Sequence, residues 1–304
     1  MGAIAGIFLW IGAGWGLRRA RVPGEAFDRI NAVIIWGPLP ATILLAIHGL
    51  NWDPSYWIPI SMAWIVFLAA AALFLALGKI LGWSNRTVGG LILAGGLGNT
   101  SFVGYPLLRA LYGERAIAIA VLTDQPGSFL VLSTLGLAAA TFFAEGRTSV
   151  RDKIRKFALF PPVWALLAAV LLRGFSFGGP IQSVLALVRS ALIPLALISV
   201  GGRLRFDGAA LRRERAPLIA GLAYKLVLAP LLMTILFVGV LHRGGESVRI
   251  TILEAAMGPM VTGAILAEEH GLNAELCSLL VSLGIPLCLI GVPLWAKILE
   301  RLGV

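Results

Sequence analysis

Charge is scarce in this chain. Only 13% of its 304 residues are Asp, Glu, Lys or Arg, about half the share of an ordinary soluble domain. Acidic residues are scarcer than basic ones, 15 against 25, and there are two cysteines and three histidines. So few ionisable groups exclude an ordinary cytosolic enzyme. His48, His242 and His270 lie at the ends of apolar runs, where a solvated role fits better than a ligand set. Cys277 and Cys288 share one apolar segment, cannot make a metal site alone and read as buried free thiols. No His-Glu-x-x-His occurs, so the commonest zinc-hydrolase signature is missing. No stretch between apolar runs is long enough to hold a soluble domain.

What is present is apolar. Hydrophobic residues make up 59% of the chain and the mean hydropathy is +0.91, which excludes disorder and defines a polytopic α-helical membrane protein. Cut at charge clusters and Gly/Pro punctuation, the apolar runs fall at 3–17, 27–48, 57–82, 87–112, 115–143, 157–173, 181–203, 216–241, 248–270 and 274–299. The expectation is therefore about ten transmembrane helices in one membrane domain over residues 1–304. The net charge of +10 suggests nucleic acid, but the basic residues sit in short clusters between apolar runs, as positive-inside loops do. No aromatic-interleaved basic stripe accompanies them, so nucleic acid is not an expected partner and the lipid bilayer is. Alternate loops divide the Lys and Arg two to one, which puts both termini on the outer face of a cytoplasmic membrane. The first apolar run has its arginines after it, which fits a first span better than a cleaved signal.

The basic loop at 145–156 divides the chain into halves at 1–144 and 157–304. Gly98 and Gly258 are 160 positions apart, as are Pro126 and Pro286; Pro38 and Pro194 are 156 apart. Five spans per half is an odd number, so the second half is expected upside down relative to the first. The expected fold is all-α, two inverted five-helix repeats, an architecture common in secondary transporters. Spans four and nine carry matched interruptions: Gly98-Asn99-Thr100 and Gly104-Tyr105-Pro106 in one, Gly258-Pro259 in the other. Proline removes a backbone donor and disfavours helix in the residue before it, while glycine supplies unusual dihedrals. Unwound backbone in hydrocarbon must be buried by protein or line a polar cavity. Two crossed, broken helices would then present half-helix N-termini opened by Pro106 and Pro259, suited to an anionic group.

GNTSFVGYPLL in the fourth run and AAMGPMVTGAILAEEHG in the ninth, with a last run ending PLW, together resemble the auxin efflux carrier family over essentially the whole chain. The resemblance implies the ten-helix inverted repeat shared with bile-acid sodium symporters, with a scaffold part and a moving transport part. It also implies a homodimer and small organic anions as substrates, dicarboxylates among them; the large hydrophilic loop of some plant members is missing. Plant hormone transport is therefore not implied. Asn99 matches the family motif and is the expected substrate contact, with Thr100, Tyr105, Asp124, Gln125 and Pro259 beside it.

Ionisable residues inside apolar runs are costly and mark pathways. Asp124 in VLTDQPGSF, Lys225 in GLAYKLVLAPLL and Glu254 in ILEAAMGPM are of this kind. Lys225 is about 14 Å inside its run at ~1.5 Å per residue, too deep to snorkel easily. Its ammonium is expected where related carriers hold a coupling sodium ion. Glu254, at the negative end of the first half of span nine, calls for a proton, a cation or an Arg. Asp124, Lys225 and Glu254 are thus the expected ion-coupling residues; no cofactor is expected beyond a coupling proton or sodium. Trp57, Trp83 and Trp295 read as membrane-boundary anchors. The reading is a non-enzymatic secondary transporter of small carboxylates by alternating access. An intramembrane enzyme would need a nucleophile–base pair or metal cluster, and a membrane sensor an appended soluble domain.

Overall fold

The computed structural model describes residues 2–51, 53–144, 160–172, 175 and 177–304, and its named elements are all helical. The basic linker expected at 145–156 lies outside the described residues. Six helices among the described residues are long and apolar enough to cross a bilayer: Gly24–His48, Pro54–Leu81, Arg115–Phe143, Gly179–Arg203, Arg215–Val240 and Ala274–Arg301.

Six long spans, not ten, correct the sequence expectation, and each of the other four runs fails for a visible reason. The first forms Gly2–Arg19, where interspersed glycines and two terminal arginines dilute the apolar signal. Among the described residues the sixth contributes Pro161–Leu171, whose 11 residues reach about 16 Å at ~1.5 Å per residue, short of the ~30 Å hydrocarbon core. The fourth is divided around non-helical backbone at 97–99, and the ninth into Glu246–Ala255 and Val261–Glu269 around 256–260. With six such spans, the odd-number arithmetic that inverted the second half no longer applies, and the two inverted five-helix repeats go with it.

The chain forms two compact units. Unit one draws on Met1–Asp53, Ser101–Val121 and Ser149–Leu204. Its centre is Gly2–Arg19 packed on Leu192–Arg203. A Cβ at Gly14 would stand 2.1 Å from the Ile198 carbonyl oxygen, and one at Gly201 would stand 2.0 Å from that of Ile11. Only glycine lets these backbones approach so closely, the device that substitutes for hydrophobic drive between helices in lipid. Ser199 Oγ donates to Asn31 Oδ1 at 2.5 Å, and Arg203 pairs with Asp28, tying Gly24–Trp36 to the same helix.

Unit two comprises Pro54–Thr100, Leu122–Thr148 and Arg205–Val304. Ala274–Arg301 is its axis: 61% of its most apolar window is buried, against 33–39% in the other five long helices. Around it the helices are repeatedly widened into π turns, at Leu91–Gly95, Asp124–Phe129, Leu132–Gly136, Tyr224–Leu228 and Ile235–Val240. The Tyr224 hydroxyl donates to the Val66 carbonyl, and its ring meets Phe74 edge-on at 5.4 Å.

Candidate functional site

In unit two the two non-helical stretches lie antiparallel. Asn99 N–H donates to Gly258 O at 2.8 Å, and Met260 N–H donates to Leu97 O at 3.0 Å. Gly98 and Pro259 are thereby paired across the ladder without bonding each other. In an antiparallel ladder that is the pair whose N–H groups point away, so the donor missing from Pro259 costs no bond. Gly258 is required by close approach: a Cβ there would stand 2.9 Å from Gly284 O and from Ile285 Cα. Gly284 answers from the axial helix, where a Cβ would meet Pro259 Cδ at 2.3 Å. Gly284 has no motif around it in the sequence, and only this packing identifies it.

Polar side chains converge on this crossing. Asn99, Thr100, Asp124, Gln125, Lys225 and Glu254 are all buried, Lys225 and Glu254 at 0% exposure. Thr100 Oγ1 donates to Asp124 Oδ1 at 2.5 Å, and Gln125 Nε2 donates to Asp124 Oδ2 at 2.6 Å. Lys225 Nζ lies 3.0 Å, and the Glu254 carbonyl oxygen 3.3 Å, from where a Cβ on Gly98 would stand. Lys225 feels the charge of Glu254, and Glu254 feels those of Asp124 and Lys225. Neither carboxylate oxygen of Glu254 has a hydrogen-bond partner among the described residues. Arg249, five residues before Glu254, directs its guanidinium to the Val304 carbonyl, with Nε at 2.7 Å.

The charged residues sit where the helix is widened. Asp124 opens one π turn and Lys225 is the second residue of another. A π turn leaves carbonyls misaligned with the helical ladder, and such turns recur at functional sites. Here an indole meets a carbonyl in each: Trp64 Nε1 donates to Pro126 O at 3.3 Å, and Trp295 Nε1 to Leu226 O at 3.0 Å. Trp295, expected as a boundary anchor, is half-buried and donates to this carbonyl. Period counting cannot see these turns.

Gly98, Asn99, Thr100, Asp124, Gln125, Lys225, Glu254, Gly258 and Pro259 therefore share unit two, linked contact by contact. Gly104, Tyr105 and Pro106 fall in unit one. There Pro106 occupies the first turn of Tyr105–Tyr112, and Tyr105 is buried. Among the described residues no three His, Cys, Asp or Glu side chains are grouped to hold a metal.

Six long apolar helices among the described residues, with an interrupted, charge-bearing interior in unit two, define a multi-pass integral membrane protein. The family model described as membrane transport protein matches residues 1–296, and the chain belongs to that auxin-efflux-carrier-like family. It is similar to an uncharacterized transporter of Methanothermobacter thermautotrophicus, 28% identical over 211 residues, covering 69% of this chain and 68% of the relative. It is also similar to an uncharacterized transporter of Methanocaldococcus jannaschii, 26% identical over 280 residues, with 89% of each covered. The chain is a polytopic membrane transporter.

Proposed function

We propose that the protein is a secondary-active carrier of small organic anions, carboxylates in particular, working by alternating access with the crossing as its binding place. The observation that carries this is the antiparallel pairing of Gly98 with Pro259 beside the buried Lys225. Unwound backbone inside a membrane protein must be buried by protein or line a polar cavity, and a binding place for a polar solute gives it such a role. Val261–Glu269 begins directly after the crossing, so the positive end of its dipole is turned toward it. Asn99 and Gln125 supply amide groups for a carboxylate, and the Lys225 ammonium supplies the charge. Asp124 and Glu254 together outnumber Lys225 by one negative charge, which a coupling proton or sodium ion would balance. The inner-membrane location, outward termini and homodimer remain part of this reading.

Uptake and counterflow in proteoliposomes with a panel of mono- and dicarboxylates, with and without proton or sodium gradients, tests it. Saturable counterflow of a carboxylate, lost in Lys225→Ala and altered in pH response in Glu254→Gln, is expected. Transport by both variants at the wild-type rate and with the wild-type pH profile would overturn the assigned roles. Absence of counterflow for every carboxylate would overturn the substrate class.

A further inference from the structure

Unit one holds a second concentration of charge, away from every residue assigned above except Tyr105. A shallow, open recess is lined by Thr42, Tyr105, Arg109, Ile117, Arg189 and Leu192, with Ile193 alongside. Arg109 and Arg189 both pair with one carboxylate, that of Glu114. Two guanidinium groups sharing one carboxylate leave one positive charge uncompensated at the recess. Arg189 is the more enclosed, its side chain 21% exposed against 42% for Arg109 and 51% for Glu114. The recess walls contributed by Ile117, Leu192 and Ile193 are apolar.

The surroundings indicate what such a recess takes. Arg189 is in the last turn of Gly179–Ser190, a helix with no buried residue. That helix exposes Ile181, Val184 and Leu187 at 55%, 60% and 73%. An apolar outer face ending in an arginine that reaches a recess suits an amphiphile: an anionic head at the guanidinium groups and a hydrocarbon tail along the helix. Planar guanidinium forks match phosphate oxygens in pairs, which a lysine could not do.

We propose that Arg109 and Arg189 form a binding site for a singly charged phosphate group, supplied by a phospholipid headgroup or by free phosphate. Glu114 holds the two forks in place and competes with the incoming anion for them. The site is independent of the transport reading, because it uses a different unit and different charges.

The test uses the purified full chain in neutral detergent, with thermal unfolding followed in three arms at equal ionic strength. One adds dioleoyl phosphatidylglycerol, one dioleoyl phosphatidylcholine and one sodium phosphate. Phosphatidylglycerol raising Tm by about 3 °C or more over phosphatidylcholine assigns the site to a lipid headgroup. The same rise with sodium phosphate alone assigns it to a free anion. Arg189→Gln and Arg109→Gln should each weaken the response roughly tenfold in midpoint concentration, whereas Glu114→Gln should strengthen it severalfold. A response unchanged by either arginine substitution overturns the proposal. So does wild-type protein that neither gains stability with any phosphate source nor retains phosphatidylglycerol over phosphatidylcholine by native mass spectrometry, a readout that needs no variant to fold.

Discussion

Unit one and unit two both use close glycine contacts and surface ion pairs, and they differ in how they treat charge in the interior. In unit one glycines let neighbouring backbones touch, as at Gly14 against Ile198 and Gly201 against Ile11, and the ion pairs involve partly exposed side chains. In unit two helices are interrupted or widened, and Asp124, Lys225 and Glu254 are fully or almost fully buried. Burying a charge in a low-dielectric interior costs several kcal/mol even after pairing. A unit that only had to be stable would fill those positions with leucine. On the proposed reading, the contrast separates a part built for packing from a part that carries the binding place.

The largest effect should come from Lys225. In Lys225→Met the two carboxylates lose their cation, and removing one partner of a buried charge cluster costs about 3–5 kcal/mol. Denaturation in detergent should show that loss, with transport at background. The double variant Lys225→Met/Glu254→Gln removes a negative charge as well and should recover much of the stability but no transport. Recovery of both would mean that the cluster is a packing device, and the contrast between the units would fail.

Next in size is a change in unit one. Gly201→Ala drives a methyl into the Ile11 carbonyl, which stands 2.0 Å from where the Cβ would be. Overpacking of this kind costs about 1–3 kcal/mol. The unfolding midpoint should fall, while the substrate KM of the protein that remains folded is unchanged. A shifted KM in the protein that remains folded would show that this packing tunes the binding place.

Gly98→Ala reverses that pattern. Its methyl meets the far end of the flexible Lys225 side chain at 3.0 Å and the Glu254 carbonyl oxygen at 3.3 Å, so a stability loss of about 1 kcal/mol is expected. The ammonium must move, however, and proteoliposome transport should fall about tenfold. Wild-type transport by Gly98→Ala would detach Lys225 from the binding place.

How much of this the residues disclosed differs between the two units. Apolar runs identify the membrane class, and Gly258-Pro259 marks itself because the local chemistry disfavours a helix there. Buried Asp124, Lys225 and Glu254 stand out for the same reason, each being too costly to bury idly. The count of spans was not legible, because a hydropathy run reports composition and not whether the backbone continues through it: 87–112 is as apolar as a span and is broken at 97–99. Nor could the close contacts of Gly14, Gly201 and Gly284 be read, since they depend on which helix lies opposite. The π turns at Asp124 and Tyr224 leave no mark on a sequence beyond a nearby proline.

The smallest effect supplies the control for the pH experiments. Asp207 caps Gly208–Arg213 in unit two, accepting from the N–H groups of Ala209 at 2.8 Å and Ala210 at 3.2 Å. Those backbone bonds, Ala210 foremost, hold its carboxyl below the usual carboxylate range, with Arg213 adding a smaller pull. A group depressed in the folded state contributes its stability above its unfolded pKa and loses it as pH falls through the folded value. Unit two therefore has an acid-sensitive surface contribution unrelated to its buried charges. Asp207→Asn keeps a cap of comparable quality without a titrating group. Its Tm should match the wild type near pH 7 and decline less steeply below about pH 4. Its transport–pH profile should be unchanged. A shifted transport profile in Asp207→Asn would mean that the pH response arises at this cap, and a change seen in Glu254→Gln could then no longer be credited to the buried cluster alone.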